Sequence, residues 1–331
     1  MSDALVQMAR SGDREAFDAL VAPHRLELQV HCYRMLGSLQ DAEDVVQETL
    51  LAAWVGMDGF EGRSGVRTWL YRIATNRCLN HLRAATRRPV PALPAGVPVP
   101  SSTTELTWLQ PFPDLLLDGL PDGLPGPEAQ YESREAITLA FVTATQRLQP
   151  RQRAVLILRD VLGYPARDTA EILGIPLDAV NNDAKRARAA LTDNGADGTS
   201  RTPAPPTPDD DALVERFVEA FVAFDVDAMV GLMSEDVWLR MPPLPVEYHG
   251  RTAAHQFFTV VAAHRQATPT LVRTRANAQP AWGDYRPDPT TGLLHLTGIE
   301  VLTVADGLVT GLTRFEGTVA PWFGLPRTLN P

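Results

Sequence analysis

The sequence predicts a multidomain protein: two all-α helical domains, then a C-terminal α+β domain whose curved sheet wraps on helices. Three observations predict this. Apolar residues recur at helical spacing through roughly the first 190 residues, interrupted by a proline-rich stretch. After about residue 210 the pattern changes to a long helix followed by strand-like runs with hairpin signals. Charge is also dealt unevenly along the chain. Gly62–Arg88 holds seven arginines and no acid, although the whole chain has 30 Lys+Arg against 40 Asp+Glu.

At 331 residues the chain suits two or three domains, and its 44% apolar content is that of an ordinary globular protein. No apolar run reaches the length of a membrane span, and the first residues carry no apolar signal core. Cys32 and Cys78 are the two cysteines, too few for a disulfide framework or a cysteine-based zinc site, so a reducing cytoplasm is expected. No metal and no cofactor is expected. Net acidity does not argue against DNA binding, because two separate segments are locally basic: Gly62–Arg88, and Arg147–Ala190 with eight bases and five acids.

In chain order, one helix begins near Ala4, a second runs from about Arg25 to Leu36 before Gly37, and a third is Asp41–Trp54. The third places Ala42, Val45, Val46, Thr49, Ala53 and Trp54 on one side. Its acids crowd the first turns, where the helix dipole favours them. Four glycines in "GMDGFEGRSG" break the pattern, and the arginine helix follows. On a 100° wheel Trp69, Arg72, Asn76, Asn80, Arg83 and Arg87 form one stripe; Val66, Leu70, Ile73, Ala74, Cys78 and Leu82 form an apolar face. Guanidiniums suit phosphates, carboxamides suit base edges, and an indole can stack on an unpaired base. A merely solvated helix would mix acids with its bases.

Residues 90–127 read as an extended proline-rich linker, yet they carry Trp108, Leu109, Phe112 and Leu115–Leu117, which are expected to pack on a neighbouring domain, with partner binding as the alternative. A helical unit follows over 128–194. Gly163 ends one helix, Pro165 suits the first position of the next, and Gly174 makes the turn before a third helix that starts near Leu177: a helix-turn-helix pattern. Val180, Ala184, Ala187 and Leu191 lie on one side of that helix; Asn181, Asn182, Lys185, Arg186 and Arg188 project elsewhere. Residues 195–209 read as a flexible linker, and 210–331 as the α+β domain. That domain should open with a helix over Ala212–Leu232. A strand "VWLRM", a loop ending at His249-Gly250 and a helix from Thr252 should follow, then four strands with a hairpin turn at Asp306-Gly307.

This order of parts resembles a known family. Residues from about Phe17 to Arg88, through "DAEDVVQETLLAAW" and "TWLYRIATNRCLNHLR", resemble region 2 of the extracytoplasmic-function sigma factors of bacterial RNA polymerase. Residues from about Glu135 to Leu191, through "LQPRQRAVLILRDVLGY" and "AEILGIPLDAVNNDAKRARAAL", resemble region 4. Residues 210–331 resemble a SnoaL-like domain with a cone-shaped interior, and "WLQPFPD" looks like a linker motif of one subfamily carrying such a domain. The resemblance implies domains at 1–89 (region 2), 128–194 (region 4) and 210–331. It implies core RNA polymerase (β′ clamp and β flap) and promoter DNA as partners, and no membrane. Asp41, Asp44, Gln47 and Glu48 would dock on the clamp. Phe60, Arg63, Arg67, Trp69, Arg72, Asn76, Asn80, Arg83 and Arg87 would meet the minus-ten element, with Trp69 and Phe60 as candidates to stack on a flipped base. Asn181, Asn182 and Lys185 would read the minus-thirty-five element, with Arg186 and Arg188 on phosphates. Asp183 is expected to point away from DNA and pair with Arg186.

For the C-terminal domain, candidate pocket residues are Trp238, Met241, Tyr248, Phe257, Trp282, Tyr285, His295 and Phe315, with a small ligand as a candidate partner. Asp225, Asp227, Tyr248, His249, Asp284 and His295 are the titratable candidates, and none sits at a catalytic spacing. A regulatory, non-enzymatic role is the expectation. Two alternatives stay open: a SnoaL-type isomerase or hydrolase fused to a DNA-binding module, and a DNA-binding regulator that works without polymerase.

Overall fold

The computed structural model describes residues 2–62, 64–84, 97–103, 109–117, 136–195, 208–264 and 267–330. Arg63, Arg87, Trp108 and most of both linker stretches lie outside the described residues. The chain forms two compact units. One comprises Met1–Arg88, Leu116–Ile137 and Phe141–Asn194; the other comprises Pro89–Leu115, Thr138–Ala140 and Gly195–Pro331.

The first unit is helical. Helices α1 (Ser2–Arg10) and α2 (Arg14–Val21) are separated at Gly12, and the Asp13 carboxylate caps α2 by accepting from the Ala16 amide. Helix α3 (Arg25–Leu36) ends at left-handed Gly37, as the sequence predicts. Helix α4 (Leu39–Val55) starts two residues earlier than expected because the Ser38 hydroxyl, not an Asp41 side chain, caps it by accepting from the Asp41 amide. Helix α5 (Val66–Ala84) is the arginine helix. Leu28 and Cys32 of α3, Ala42 and Val45 of α4, and Leu70, Ala74 and Cys78 of α5 are all buried in one core. Both cysteines are free thiols.

Helix α6 (Leu139–Gln146) contributes to this unit from Phe141 onward. Helix α7 (Pro150–Leu156) widens into a five-residue π turn, Ile157–Val161, and Gly163 at φ 70° ends it. Helices α8 (Ala166–Leu173) and α9 (Leu177–Gly195) form the helix-turn-helix around left-handed Gly174. Pro165 stands one position earlier than expected, as the cap residue of α8. Val155, Val180 and Ala184 pack together, and Leu148, Leu156 and Ala187 form a second small cluster.

The second unit holds helices α10 (Pro208–Ala223), α11 (Val226–Gly231) and α12 (Arg251–Ala263) against an eight-stranded sheet. Its strands are β1 (Ser102–Thr103), β2 (Met233–Arg240), β3 (Val246–His249), β4 (Thr270–Ala276), β5 (Gln279–Pro287), β6 (Leu294–Ala305), β7 (Leu308–Glu316) and β8 (Thr328–Leu329). The order is β1-β3-β2-β7-β6-β5-β4, with β8 on β6; β2 and β7 are parallel and the other pairs antiparallel. Asp306-Gly307 makes the expected hairpin, both residues at positive φ. Two expectations change. The helix over Ala212–Leu232 is two helices, because Phe224 turns to φ 56° and the Asp225 carboxylate caps α11 through the Ala228 amide. The loop before Gly250 contains β3, whose Val246, Glu247 and Tyr248 are buried between β1 and β2.

The first part of the connection between the two helical domains, Pro89–Leu115, belongs to this second unit. Ser101–Thr103 lies on the free edge of β3, where the Ser101 amide donates to the Glu247 carbonyl (2.9 Å), and the Tyr248 hydroxyl donates to the Pro98 carbonyl (2.9 Å). Further on, fully buried Phe112 exchanges two hydrogen bonds with Asn277 at the tip of the β4–β5 hairpin: its amide donates to the Asn277 side chain and its carbonyl accepts from the Asn277 amide, both 2.8 Å. The Asp114 carboxylate then accepts from the Ala278 amide (2.8 Å) and pairs with Arg275 (3.0 Å). Asn277 and Ala278 both hold positive φ, which turns their amides toward the incoming segment. Replacing Asp114 by Ala should destabilise this unit by about 1–3 kcal/mol, since a charged acceptor and a backbone donor lose each other. Chemical denaturation of the full-length variant checks it, and an unchanged midpoint would contradict the clasp.

Candidate nucleic-acid and polymerase interfaces

Helix α4 turns one stripe to solvent. Asp44, Gln47 and Glu48 are exposed there, in line with Leu51 and Val55, whose exposure reaches 65% and 72%. These two apolar residues continue the face by steps of three and four and were overlooked in the sequence. Their signal was available, since Leu51 and Val55 fall outside the apolar side of α4. Asp41 does not share the face: it turns toward α5, 3.7 Å from His81. Glu48 lies 3.6 Å from Arg77.

On α5, Arg72, Asn76, Asn80 and Arg83 are exposed along one stripe, and the Arg83 guanidinium donates to the Asn80 side chain (3.2 Å). Trp69 is half-buried and leans on buried Phe60, ring centroids 4.8 Å apart. Phe60 therefore backs the indole instead of offering a free face of its own. Arg67 lies off that stripe. Five residues before Arg72, it points about 140° away around the helix. It pairs with Glu27 of α3 (2.8 Å), donates to the Tyr164 hydroxyl (3.2 Å) and lies over the rings of Tyr71 and Tyr164. Glu27 also binds His24 (2.6 Å); burial would raise its carboxyl, but His24 and Arg67 together hold it below the usual range.

Behind this cluster His31 is fully buried, its Nε2 at 2.9 Å from the Thr75 hydroxyl and its ring edge-on to Tyr71. The Thr75 hydroxyl donates to the Tyr71 carbonyl, so it accepts from Nε2. Burial first, then the nearby Arg34 and Arg67 charges, push the imidazole down to about 3.

In the helix-turn-helix, Asn181, Asn182, Lys185, Arg186 and Arg188 of α9 are all exposed. Asp183 is buried and points away, as expected, but its partner is Arg151 (2.6 Å), not Arg186. Arg151 lies 32 positions before Asp183, so the bond ties α9 to the start of α7. Arg188 is held by both oxygens of Asp160 (2.8 and 2.6 Å).

In the C-terminal unit the eight pocket candidates do not converge. Trp282, Tyr248, Phe257 and Met241 belong to the core between the sheet and the helices, with Phe217 and Phe221 of α10 packed on Trp282. Strand alternation sends the others elsewhere. Trp238 stacks on exposed His249 at 4.1 Å, on the face opposite Val237 and Leu239. Tyr285 donates to the Pro326 carbonyl (2.7 Å), and Phe315 pairs across from Ile299 on that same far face. His295 is exposed. Of the titratable candidates, Asp225 is a helix cap and Asp227 pairs with His255 at the surface (3.1 Å).

Asp284 has a different setting, and its partners were not foreseen. It is 1% exposed, and both its oxygens face Arg286 (2.8 and 2.9 Å). Arg314 binds Asp284 (3.1 Å), buried Glu300 and the Thr297 hydroxyl (3.2 Å). Burial raises the Glu300 carboxyl. Gly298 makes the crossing feasible: a Cβ there would lie 2.8 Å from the Arg314 guanidinium carbon and 2.7 Å from the Phe315 carbonyl. The sequence signal was an acid inside the apolar run Ile299–Val301.

The helical unit thus carries two exposed polar and cationic helix faces backed by apolar cores, and the second unit is of the α+β class. The family models describing Sigma-70 region 2, Sigma-70 region 4 and the SnoaL-like domain match residues 20–88, 138–191 and 214–312. The chain is 40% identical over 334 residues to the ECF RNA polymerase sigma factor SigG of Mycobacterium tuberculosis, covering 97% of this chain and 86% of that protein. It is 31% identical over 186 residues to the ECF RNA polymerase sigma factor SigW of Bacillus subtilis, covering 56% of this chain and 92% of that one. The crystal structure of the Mycobacterium tuberculosis extracytoplasmic function sigma factor SigJ shares the fold, with a TM-score of 0.61 at 23% identity, covering 92% of this chain and 97% of that chain. The chain belongs to the extracytoplasmic-function RNA polymerase sigma factors, the polymerase subunits that bind promoter DNA. No helix among the described residues is long and apolar enough to cross a membrane.

The buried imidazole gives a pH dependence with a definite sign. Its folded-state value lies below the unfolded 6.5, so its contribution is full above pH 6.5 and is lost as pH falls toward 3. Between pH 6.5 and 4.5 the loss should be roughly 2 kcal/mol. His31→Gln keeps a donor to Thr75 and should flatten that part of the stability–pH curve. Denaturant midpoints at pH 7 and pH 5 for both proteins measure it, and equal acid sensitivity would contradict it.

Proposed function

We propose that the chain docks on the β′ clamp of core polymerase through the α4 stripe, meets the minus-ten element with α5 and reads the minus-thirty-five element with α9. It has no active site of its own. The observation that carries this reading is the α4 face. A helix that exposes Leu51 and Val55 beside Asp44, Gln47 and Glu48 is built for a protein partner, since a DNA-only regulator gains nothing from exposing apolar and acidic groups together. On α5 the reading face is Trp69, Arg72, Asn76, Asn80 and Arg83; on α9 it is Asn181, Asn182, Lys185 and Arg186, with Arg188 reaching phosphate only by leaving Asp160. The β flap is the expected second polymerase contact, through region 4. Such a subunit works where the chromosome is, in the cytoplasm.

The enzyme alternative has less support: Asp225 is a helix cap, Asp227 a surface pair, His249 stacks on Trp238 on the far face, and Asp284 is bound by Arg286 and Arg314. We assign that unit a modulating role. Its support is that the unit binds separate stretches of the connection between regions 2 and 4: residues 97–103, residues 109–114, and the start of α6, where the Leu139 amide donates to buried Gln279 (3.1 Å).

Two experiments test the assignments. Glu48→Arg and Leu51→Asp should each abolish run-off transcription and co-purification with core polymerase while circular dichroism stays unchanged; retained co-purification in both would displace the docking face. Arg72→Ala and Arg83→Ala should keep core binding and each lower the salt slope of promoter binding by about one unit. Unchanged slopes in both would remove the α5 stripe from the DNA.

A further inference from the structure

Helix α9 opens on an apolar side chain that its own domain leaves in solvent. Leu177 is 47% exposed. Neighbouring apolar groups are covered: Val180 and Ala184 pack on Val155 beside Leu173 and Ile175, and Ala187 packs on Leu148 and Leu156. By helical phase Leu177 lies in line with Asn181 and Arg188, at the border of the buried side, and the small core stops one turn short of it. Leucine has no polar atom, so it can neither bind a phosphate nor hydrogen-bond a base edge. It also stands apart from other large exposed apolar groups, flanked by exposed Asp178 and Asn181, whereas Leu51 and Val55 on α4 form a pair suited to a protein partner.

The helix is also polarised along its axis. Its first turn exposes Leu177 and Asp178, while the cations Lys185, Arg186 and Arg188 come two to three turns later. The helix dipole favours an acid at that first turn, and a phosphate repels it. Phosphates line the rims of the major groove and base edges its floor. From Leu177 to Arg188 the helix rises about 16 Å, comparable with a groove about 12 Å wide. The cationic end therefore suits a rim, and the uncharged leucine at the other end reaches the floor, as the first residues of a recognition helix do. The apolar group that base edges present there is the C5-methyl of thymine. We propose that Leu177 is a specificity-determining residue that reads thymine: its side chain covers the C5-methyl of one thymine in the minus-thirty-five element. This rests on the assignment of α9 to that element. Asn181 stands one turn on, about 6 Å along the axis, which places the thymine within about two base pairs of the base that Asn181 meets.

The test uses holoenzyme assembled from the full chain and core polymerase. A promoter pool randomised over the minus-thirty-five region, selected by binding to the wild type, gives the cognate element. Each thymine of that element, on either strand, is then replaced in turn by deoxyuridine, which removes the methyl group and keeps the base pair. One of these replacements should weaken promoter binding about fourfold, the equivalent of one buried carbon. Leu177→Ala should bind the thymine and deoxyuridine forms equally. Leu177→Met, which keeps an apolar side chain of similar size, should still discriminate. No deoxyuridine effect at any position, or the same effect in Leu177→Ala as in the wild type, would overturn the reading of thymine. Loss of core polymerase in Leu177→Ala would make the residue a polymerase contact and overturn it as well. Failure of the α9 assignment has a different signature: Asn181→Ala and Lys185→Ala would then leave the selected element unchanged.

Discussion

The arrangement of the helical unit depends on a guanidinium buried with backbone acceptors in place of a carboxylate. Arg153 is 4% exposed, and its five donors meet the carbonyls of Thr145, Gln146, Leu148 and Met35 and the Gln146 side chain. A buried charge is costly unless hydrogen-bonded, and burial pushes this one down to about 10. Its acceptors come from the α6–α7 corner and from the open end of α3. Satisfying the cation therefore folds the corner, covers the open end of α3 and sets where α7 leaves. Helix α7 in turn holds α9, through the Arg151–Asp183 pair and the Val155–Val180 packing.

The same economy of faces runs through α5. Its 19 residues divide into an exposed polar stripe, an apolar side built on Leu70, Ala74 and Cys78, and a third side where Arg67, Tyr71 and Thr75 make polar contacts with α3 and Tyr164. An acid-free helix leaves its stripe cations to be met by something outside the helix. The one arginine that is firmly ion-paired, Arg67, is also the one turned away from the stripe. The proposed DNA face and the domain seating thus use different sides of a single element and do not compete for the same side chains.

In the C-terminal unit the chain between regions 2 and 4 is bound by main-chain hydrogen bonds and by one buried ring. Phe112 and Asn277 pair like residues of a ladder, and Asp114 caps the turn that presents Asn277. Proline at positions 111 and 113 removes donors the segment has no use for and stiffens it before binding. On the inner face of the sheet, Arg286 and Arg314 pair with Asp284 and Glu300 and offset the burial of two carboxylates, although Asp284 Oδ1 makes no hydrogen bond among the described residues.

Much of the fold was legible in local pattern. The helix stops at Gly37 and Gly174, the apolar sides of α4 and α5, the helix-turn-helix and the Asp306-Gly307 hairpin each depend on residues within a few positions of one another, where spacing and φ preference decide. The exposed stripes of α5 and α9 were readable for the same reason: once a face is buried, helical phase dictates the opposite one. Choices between chemically equal partners were beyond the sequence. Asp183 could have met Arg186 or Arg151, Arg67 could have faced DNA or Glu27, and the apolar linker residues could have packed on any domain. Those partners are separated by 32, 40 and 165 positions in the chain. Only the folded arrangement brings them within hydrogen-bond distance, because a charge-assisted bond a few ångströms long carries no trace in the spacing of the residues that make it.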